Sequence, residues 1–200
     1  MKVQINSAQK YPHFIGSWML ENPEVCNQLI DYFENNKGKQ RPGIAGGGPL
    51  RLDVKDSIDI SISPNIVMDQ VDGKIFRDYF DQLFAFYADY INDWPFLSGL
   101  FDSLEIGSFN LQKYLPGQHF KKIHTERGGL SSLHRVFAFM TYLNDVEQGG
   151  STLYSHYDLE VFPKKGLTLL WPAEWTHAHC GNPVEKGSKY IITGWLHFHC

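Results

Sequence analysis

Apolar residues recur at helical spacing in one long segment of the 200-residue chain, residues 73–93. Seven large side chains fall at i, i+3 and i+4 positions and would line one face of an amphipathic helix: Phe76, Tyr79, Phe80, Leu83, Phe84, Tyr87 and Ile91. Trp94-Pro95 follows directly and predicts the end of the helix. We interpret this aromatic stripe as a packing face rather than a cofactor site.

A second, shorter helix is predicted in the segment NPEVCNQLIDYFENNKG, residues 22–38. Asn22 can cap its first turn, Pro23 suits the first helical position, and Gly38 can end it. Its apolar residues again share one face, so both helices need a surface that covers them.

Short apolar runs with strand-like periodicity dominate the rest of the chain. KDSIDISIS places Ile58, Ile60 and Ile62 on one face. Beyond residue 100, turn-forming glycine and proline residues separate six further runs: LEIGSFNLQKYL, VFAFMTYLND, STLYS, LEVFP, LTLLWP and KYIITGWLHF. This pattern predicts a mainly β fold with flanking α, built on a double-stranded β-helix (jelly-roll, cupin-like) core. We expect the N-terminal helices to pack on one of its sheets.

The composition is that of an ordinary globular protein, and its charge argues against some classes of binding partner. Its formal net charge of −4 argues against nucleic acid and anionic membranes as partners, and no apolar run is long enough to predict a membrane span. Cys26, Cys180 and Cys200 form no metal-binding or disulfide pattern, and no secretory signal is evident. We therefore expect a cytoplasmic protein of one domain, with residues 1–100 as a helical support region and residues 101–200 as the β-core that carries the chemistry.

A histidine and a glutamate lie two residues apart in FKKIHTERGG, residues 120–129. On a strand, His124 and Glu126 would project from the same face, because strand side chains alternate with period two. The pair then suits two ligands of one metal ion, although a polar strand edge gives the same spacing. A third ligand would have to come from a distant segment.

A second pair of histidines, His177 and His179, supplies that segment in WTHAHCGNPV. Two histidines and one carboxylate on one triangular face of the metal are the ligand set of non-heme Fe(II) oxygenases. The residues alone leave open which of the two histidines is the ligand. They also leave open a structural role for all of them.

Several motifs in residues 105–198 occur in an order typical of one family. HTE is followed by TYLNDVEQGGSTL, HCGNPV, Lys189 and the aromatic last strand YIITGWLHF. This series resembles the 2-oxoglutarate- and Fe(II)-dependent dioxygenase superfamily, in its prolyl 4-hydroxylase type. That family has His-x-Asp, a Gly-Gly-x-Thr-like turn, a distal His-x-x-x-Pro-Val and a following Lys or Arg. KDSIDISI resembles a segment of the family's N-terminal half and extends the likeness to Lys55.

The resemblance implies a metal site and a cosubstrate site. It assigns His124, Glu126 and His179 as the Fe(II) ligands, with His179 preferred to the earlier histidine because Pro-Val follows it at the family's spacing. It assigns Lys189 to the C5 carboxylate of 2-oxoglutarate. A buried carboxylate needs such a cation, because an unpaired buried charge is very costly.

Three hydroxyl-bearing residues are implied as further cosubstrate contacts: Tyr114, Tyr142 and Thr193. Tyr114 lies ten residues before His124, where the family has a tyrosine that meets the cosubstrate or the substrate mouth. Tyr142 lies on the following core strand, and Thr193 shares a face with Lys189 in the alternation of the last strand. Each tyrosine can instead be a core aromatic whose hydroxyl is satisfied elsewhere.

Glu126 departs from the family, in which aspartate is usual. Glutamate is longer by one C–C bond, about 1.5 Å, so the backbone or the metal must shift to accommodate it. A carboxylate is nevertheless present, which argues against a halogenase, because halogenases replace it with a small residue.

The activity implied is hydroxylation of a prolyl or related residue in a peptide or protein, giving succinate and CO2. It requires Fe(II), 2-oxoglutarate as cosubstrate and O2, and it admits ascorbate as a reductant. A free amino acid or another small molecule is the alternative substrate, and the sequence does not fix the oligomeric state. Two other functions stay open: a cupin-like metalloenzyme that uses no 2-oxoglutarate, and a non-catalytic β-sandwich binding module with structural histidines.

Overall fold

The structure, a computed structural model, describes residues 1–3, 12–46, 48–67, 73–101 and 103–199, and the elements and counts below hold for those residues. The helices are α1 (Glu24–Asn35), α2 (Pro64–Val67) and α3 (Gly73–Asp93). The strands are β1 (Gly16–Met19), β2 (Arg41–Pro42), β3 (Ile58–Ile62), β4 (Leu104–Ile106), β5 (Phe109–Tyr114), β6 (Arg135–Tyr142), β7 (Gln148–Gly149), β8 (Thr152–Tyr154), β9 (Leu159–Val161), β10 (Leu167–Pro172), β11 (His179–Gly181), β12 (Val184–Lys186) and β13 (Lys189–Phe198).

An antiparallel sheet of eight strands forms the major layer. Its strands follow the order β1-β10-β6-β13-β5-β3-β2, and β4 pairs with one end of β13. Two smaller sheets, β11-β8-β9 and β12-β7, are separate from it. The predicted mainly β architecture with flanking helices is confirmed. β1, β2 and β3 come from the first hundred residues, yet they join the major sheet. The predicted division into a helical support region and a β-core at residue 100 stays a prediction.

The first hydrophobic core lies between the helices and one face of the major sheet. Aromatic rings of α3 meet rings of the central strands there: Phe76 and Phe80 contact Phe109, and Phe80 also contacts Phe139. Gly194 on β13 makes this approach possible, because a Cβ at that position would lie 2.7 Å from the Phe139 ring. The expected packing of the N-terminal helices on one sheet is therefore confirmed.

The second core fills the space between the other face of the major sheet and the smaller sheets. Along β13, Ile192 and Leu196 belong to the first core, whereas Ile191 and Trp195 belong to the second. This alternation confirms that the inward face also carries Lys189, which is buried. The second core contains the rings of Tyr114, Tyr142, Tyr154 and Trp171.

The helix boundaries agree with the sequence pattern except at the end of α1. Asn22 Oδ1 accepts the backbone N–H of Glu24 at 3.2 Å, as a cap should. The helix ends at Asn35 and not at Gly38, because the backbone of Asn36 leaves the helical conformation (φ −106°, ψ 45°). The Asn36 side chain also donates to the Tyr32 carbonyl at 2.8 Å.

The structure also bears on the cysteines and on the absence of a predicted membrane span. Cys26 and Cys180 are free thiols, and Cys200 lies outside the described residues. In this part of the chain, no helix combines the length and the apolar character that crossing a membrane requires.

Candidate functional site

The side chains of His124, Glu126 and His179 converge at one point of the second core. One donor atom from each lies within 4.8 Å of the others, and this is the only such group of three or more His, Cys, Asp or Glu in the described part of the chain. Glu126 Oε1 lies 3.4 Å from His179 Nε2 and 3.9 Å from His124 Nε2. The structure thus brings together the three residues that the sequence predicts as metal ligands.

Loop contacts, and not a regular strand, hold the first two of these residues. His124 and His179 exchange two backbone hydrogen bonds of 2.9 Å in an isolated bridge, while Glu126 lies in a bend. Between them, Thr125 donates its hydroxyl to the Ala173 carbonyl at 3.0 Å, and the N–H of Arg127 donates to the same carbonyl at 3.1 Å. The expectation that the pair shares one face of a strand is therefore wrong, although both side chains reach the same point.

His177 lies at the end of a 3₁₀ turn, Trp175–His177, and does not share a strand with His179. Its Nε2 is 2.9 Å from the His13 carbonyl and its Nδ1 is 3.0 Å from the Thr176 hydroxyl, so both ring nitrogens have partners. Burial lowers the pKa of His177 to about 4, which keeps the ring neutral at pH 7. The geometry leaves no nitrogen of His177 free to bind a metal.

In each of the two clustered histidines, one ring nitrogen donates to a backbone carbonyl and the other faces the cluster. Nδ1 of His124 lies 2.9 Å from the Lys122 carbonyl, and Nδ1 of His179 lies 2.8 Å from the His177 carbonyl. A carbonyl only accepts hydrogen bonds, so each Nδ1 carries a proton and each Nε2 faces the cluster, where it can bind a metal. Burial is the main cause that lowers the pKa of His124 to about 4, which keeps this ring neutral at pH 7.

Glu126 is ionised in this environment. Burial by itself would raise its pKa, but the hydrogen bond and charge of His179, the charge of His124 and a hydrogen bond from Trp195 lower it to about 2. Nε2 of His124, Nε2 of His179 and a carboxylate oxygen of Glu126 therefore form one compact group of possible metal donors. Nitrogen and oxygen donors of this kind suit Fe(II), so the residues present fit the implied metal.

Lys189 is a buried cation, with 3% of its surface exposed. Its Nζ donates to the Gly150 carbonyl at 2.9 Å and lies 4.6 Å from the ring centroid of Tyr114. No carboxylate of the described residues forms a salt bridge with it, and burial lowers its pKa to about 8. A buried ammonium group with one hydrogen bond lacks a counter-ion, which fits the implied cosubstrate carboxylate.

Two polar atoms beside His179 are buried without a hydrogen-bond partner: the Tyr154 hydroxyl and the Trp171 Nε1. The rings of Tyr154 and Trp171 lie 5.4 and 5.2 Å from the imidazole of His179. Buried donors without partners are rare and costly, so they indicate a polar ligand in this space. Neither residue is among the contacts predicted from the sequence. The signal for Tyr154 was its place two residues after Thr152 in STLYS, which puts both on one strand face.

The three remaining predicted contacts lie in the same region, but their hydroxyl groups already have protein partners. Tyr114 donates to Gln112 Oε1 at 2.7 Å, and only its ring approaches Lys189. Tyr142 shares a 2.7 Å hydrogen bond with Thr152, and Thr193 donates to a backbone carbonyl of β6 at 2.8 Å. Contact of these three residues with a cosubstrate stays a prediction.

Comparison with protein families assigns the segment that carries this cluster. Residues 109–197 match the model described as the 2OG-Fe(II) oxygenase superfamily. The segment runs from the start of β5 almost to the end of β13 and includes His124, Glu126, His179 and Lys189. A probable prolyl 4-hydroxylase 9 of Arabidopsis thaliana is 32% identical over 115 residues, which cover 44% of this chain and 40% of that protein. The chain thus spans less than half of the length of this curated relative.

Solved structures share the whole fold at low sequence identity. The viral collagen prolyl hydroxylase from Paramecium Bursaria Chlorella virus-1, in complex with 2OG, has a TM-score of 0.67 at 16% identity, over 93% of this chain and 97% of that one. A Trichoplax adhaerens prolyl hydroxylase, in complex with a peptide fragment of the hypoxia inducible factor oxygen degradation domain, has a TM-score of 0.68 at 15% identity, over 90% and 83%. These likenesses confirm the predicted jelly-roll core.

Proposed function

We propose that the chain is an Fe(II)- and 2-oxoglutarate-dependent hydroxylase, because residues 109–197 match the model of the 2OG-Fe(II) oxygenase superfamily and the chain is similar to a probable prolyl 4-hydroxylase. One observation carries the proposal: the cluster of His124, Glu126 and His179 shares an inter-sheet core with Lys189, a buried cation without a carboxylate partner among the described residues. A metal cluster alone fits many enzymes. The addition of a buried cation favours a cosubstrate that carries a distal carboxylate.

His124, Glu126 and His179 would hold the iron. When bound, Fe(II) supplies the activation of O2 that couples decarboxylation of 2-oxoglutarate, giving succinate and CO2, to hydroxylation of a substrate C–H bond. The carbonyl partners of each Nδ1 fix the two imidazole rings, and the charge of Glu126 offsets part of the charge of the metal.

The cosubstrate would extend from this cluster toward Lys189. The ammonium group would pair with its C5 carboxylate, and the unpartnered hydroxyl of Tyr154 offers a further donor in the same core. The Lys189 ammonium group also lies over the ring of Tyr114, in cation–π contact. The surrounding aromatic side chains exclude water, which strengthens these charge interactions.

The substrate we propose is a prolyl or related residue in a peptide or protein. The Arabidopsis relative is named a prolyl 4-hydroxylase, and the Trichoplax neighbour was solved with a peptide. Consistent with a peptide substrate, the segment around His124 exposes large apolar side chains, among them Ile123 and Leu130. A free amino acid is the alternative. Ascorbate as a reductant and a cytoplasmic location belong to the proposal.

Succinate formation tests the activity directly. We expect purified protein with Fe(II), O2 and 2-oxoglutarate to release succinate faster when proline-containing peptides are added, and ascorbate to prolong turnover. Matched peptides with alanine in place of proline and a panel of free amino acids serve as controls. If no substrate stimulates succinate release and 2-oxoglutarate does not alter the fluorescence of the metal-loaded protein, the proposal fails.

The low pKa of Lys189 predicts how cosubstrate affinity depends on pH. Above pH 8 the free protein increasingly holds a neutral lysine, so binding the C5 carboxylate requires proton uptake and weakens as pH rises. We expect 2-oxoglutarate to bind about tenfold more weakly at pH 9 than at pH 7, since protonation of a group with a pKa near 8 falls by that factor. Fluorescence titration of the Mn(II)-loaded protein without O2 measures this.

The matched control for this pH dependence is Lys189→Arg. A guanidinium group stays protonated at pH 9, so any cosubstrate binding by this variant should change little over the same interval. Equal or tighter binding of 2-oxoglutarate by the unmodified protein at pH 9 would contradict the assignment of Lys189.

A further inference from the structure

The two carboxylate oxygens of Glu126 face different partners. Oε1 faces the histidines, 3.4 Å from His179 Nε2 and 3.9 Å from His124 Nε2. Oε2 accepts a hydrogen bond of 2.7 Å from the indole Nε1 of Trp195 on β13. A carboxylate bound in this way presents one defined oxygen to the cluster.

Arg135, the first residue of β6, contacts both partners of that hydrogen bond. Its guanidinium carbon lies 3.6 Å from the ring centroid of Trp195, in stacking contact. Its Nη1 donates to the backbone carbonyl of Glu126 at 2.9 Å and lies 4.0 Å from Glu126 Oε2. The arginine thus fixes the backbone at residue 126 and the plane of the indole that binds the side chain.

The contacts of Trp195 and Arg135 compensate for two disadvantages of glutamate as a metal ligand. Glutamate has one more rotatable bond than aspartate, so fixing its carboxylate costs more side-chain entropy. Its carboxylate also reaches about 1.5 Å further, and the indole meets it at that greater distance. An aspartate on the same backbone would draw its oxygens away from Trp195.

We propose that Trp195, supported by Arg135, is a positioning residue that adapts the metal centre of this chain to a glutamate ligand. The inference rests on the proposed function only in taking His124, Glu126 and His179 as the metal site. Trp195 acts through Glu126, in the manner of the outer partners that orient metal ligands in other proteins.

Co(II) titration tests this inference without catalysis, with the visible absorption of bound Co(II) as the readout. Trp195→Phe removes the N–H group and keeps a large aromatic ring, and we expect Co(II) to bind about tenfold more weakly, with a changed visible spectrum. Trp175→Phe is the control, because Trp175 is an exposed indole, and its affinity for Co(II) should equal that of the unmodified protein.

A double-mutant cycle separates positioning from general packing. In the Glu126→Asp background the indole has no carboxylate within reach, so adding Trp195→Phe should weaken Co(II) binding by less than about twofold. An equal loss in both backgrounds, or no loss in Trp195→Phe alone, would show that Trp195 only packs. If Glu126→Asp takes up no Co(II), the test is the comparison of Trp195→Phe with Trp175→Phe, and equal Co(II) affinity of these two variants would overturn the inference.

A second variant covers the case in which Trp195→Phe does not fold, which circular dichroism would reveal. Arg135→Lys keeps the charge but cannot stack flat on the indole, and we expect about a threefold loss of Co(II) affinity. Unchanged affinity would count against the inference. Failure of the proposed function looks different: Co(II) would bind and respond to these substitutions while no substrate yields succinate.

Discussion

Replacing Lys189 by methionine is expected to raise the KM for 2-oxoglutarate by about 100-fold or more, because it leaves a buried carboxylate without its counter-ion, a loss worth about 3 kcal/mol or more. Methionine keeps most of the length of the lysine stem, so the core of Tyr114 and Ile191 stays filled. Succinate release as a function of 2-oxoglutarate concentration gives the KM. Metal binding should persist, since Lys189 is not one of the clustered donors.

The matched control for this prediction is Lys186→Met. Lys186 is three residues earlier, with 70% of its side chain exposed and a surface ion pair to Glu147. Such pairs contribute little, and we expect unchanged kinetics. An unchanged KM for 2-oxoglutarate in the Lys189 variant would contradict the assignment of Lys189 to the cosubstrate carboxylate. Metal binding without succinate release, in the unmodified protein and the variant alike, would favour a cupin-like enzyme that needs no 2-oxoglutarate.

The long elements of the fold could be predicted from the sequence, as could the three-residue strands β8 and β9, because turn residues bound their runs STLYS and LEVFP. The aromatic stripe predicted α3 at its observed limits, because seven apolar positions in register leave little freedom for another structure. By contrast, β1, β11 and β12 have three or four residues each, too few to show a period. Their strand geometry depends on partners distant in sequence, as in the pairing of β1 with β10.

The candidate site shows the same limit for individual side chains. His124, Glu126, His179 and Lys189 could be predicted because motif order carries information that one residue does not. The partners of Trp195 could not be predicted, since its alternation indicates only an inward side chain, while tertiary packing determines that its indole meets Glu126. An aromatic residue in a strand pattern indicates burial and says nothing about the atom that its polar edge contacts.

Replacing His179 by alanine should abolish stoichiometric binding of Fe(II) or Mn(II), whereas replacing His177 should not. His179 presents a free Nε2 to the cluster, but both nitrogens of His177 already have protein partners. For His179→Ala we expect metal affinity to fall by at least about 100-fold, beyond the usual effect of losing an outer partner. Metal content after gel filtration and Co(II) titration measure this loss.

For His177→Ala we expect normal metal content but a fold less stable by about 1–3 kcal/mol, because the His13 carbonyl and the Thr176 hydroxyl lose the buried ring that partners them. Urea denaturation of the metal-free protein measures this cost separately from metal binding. The reverse pattern, with metal lost only in His177→Ala, would move the distal ligand by two residues. A metal centre built on His179 cannot survive the loss of that nitrogen donor. If the unmodified protein and both variants all bind metal equally weakly and below one ion per chain, the histidines have a structural role.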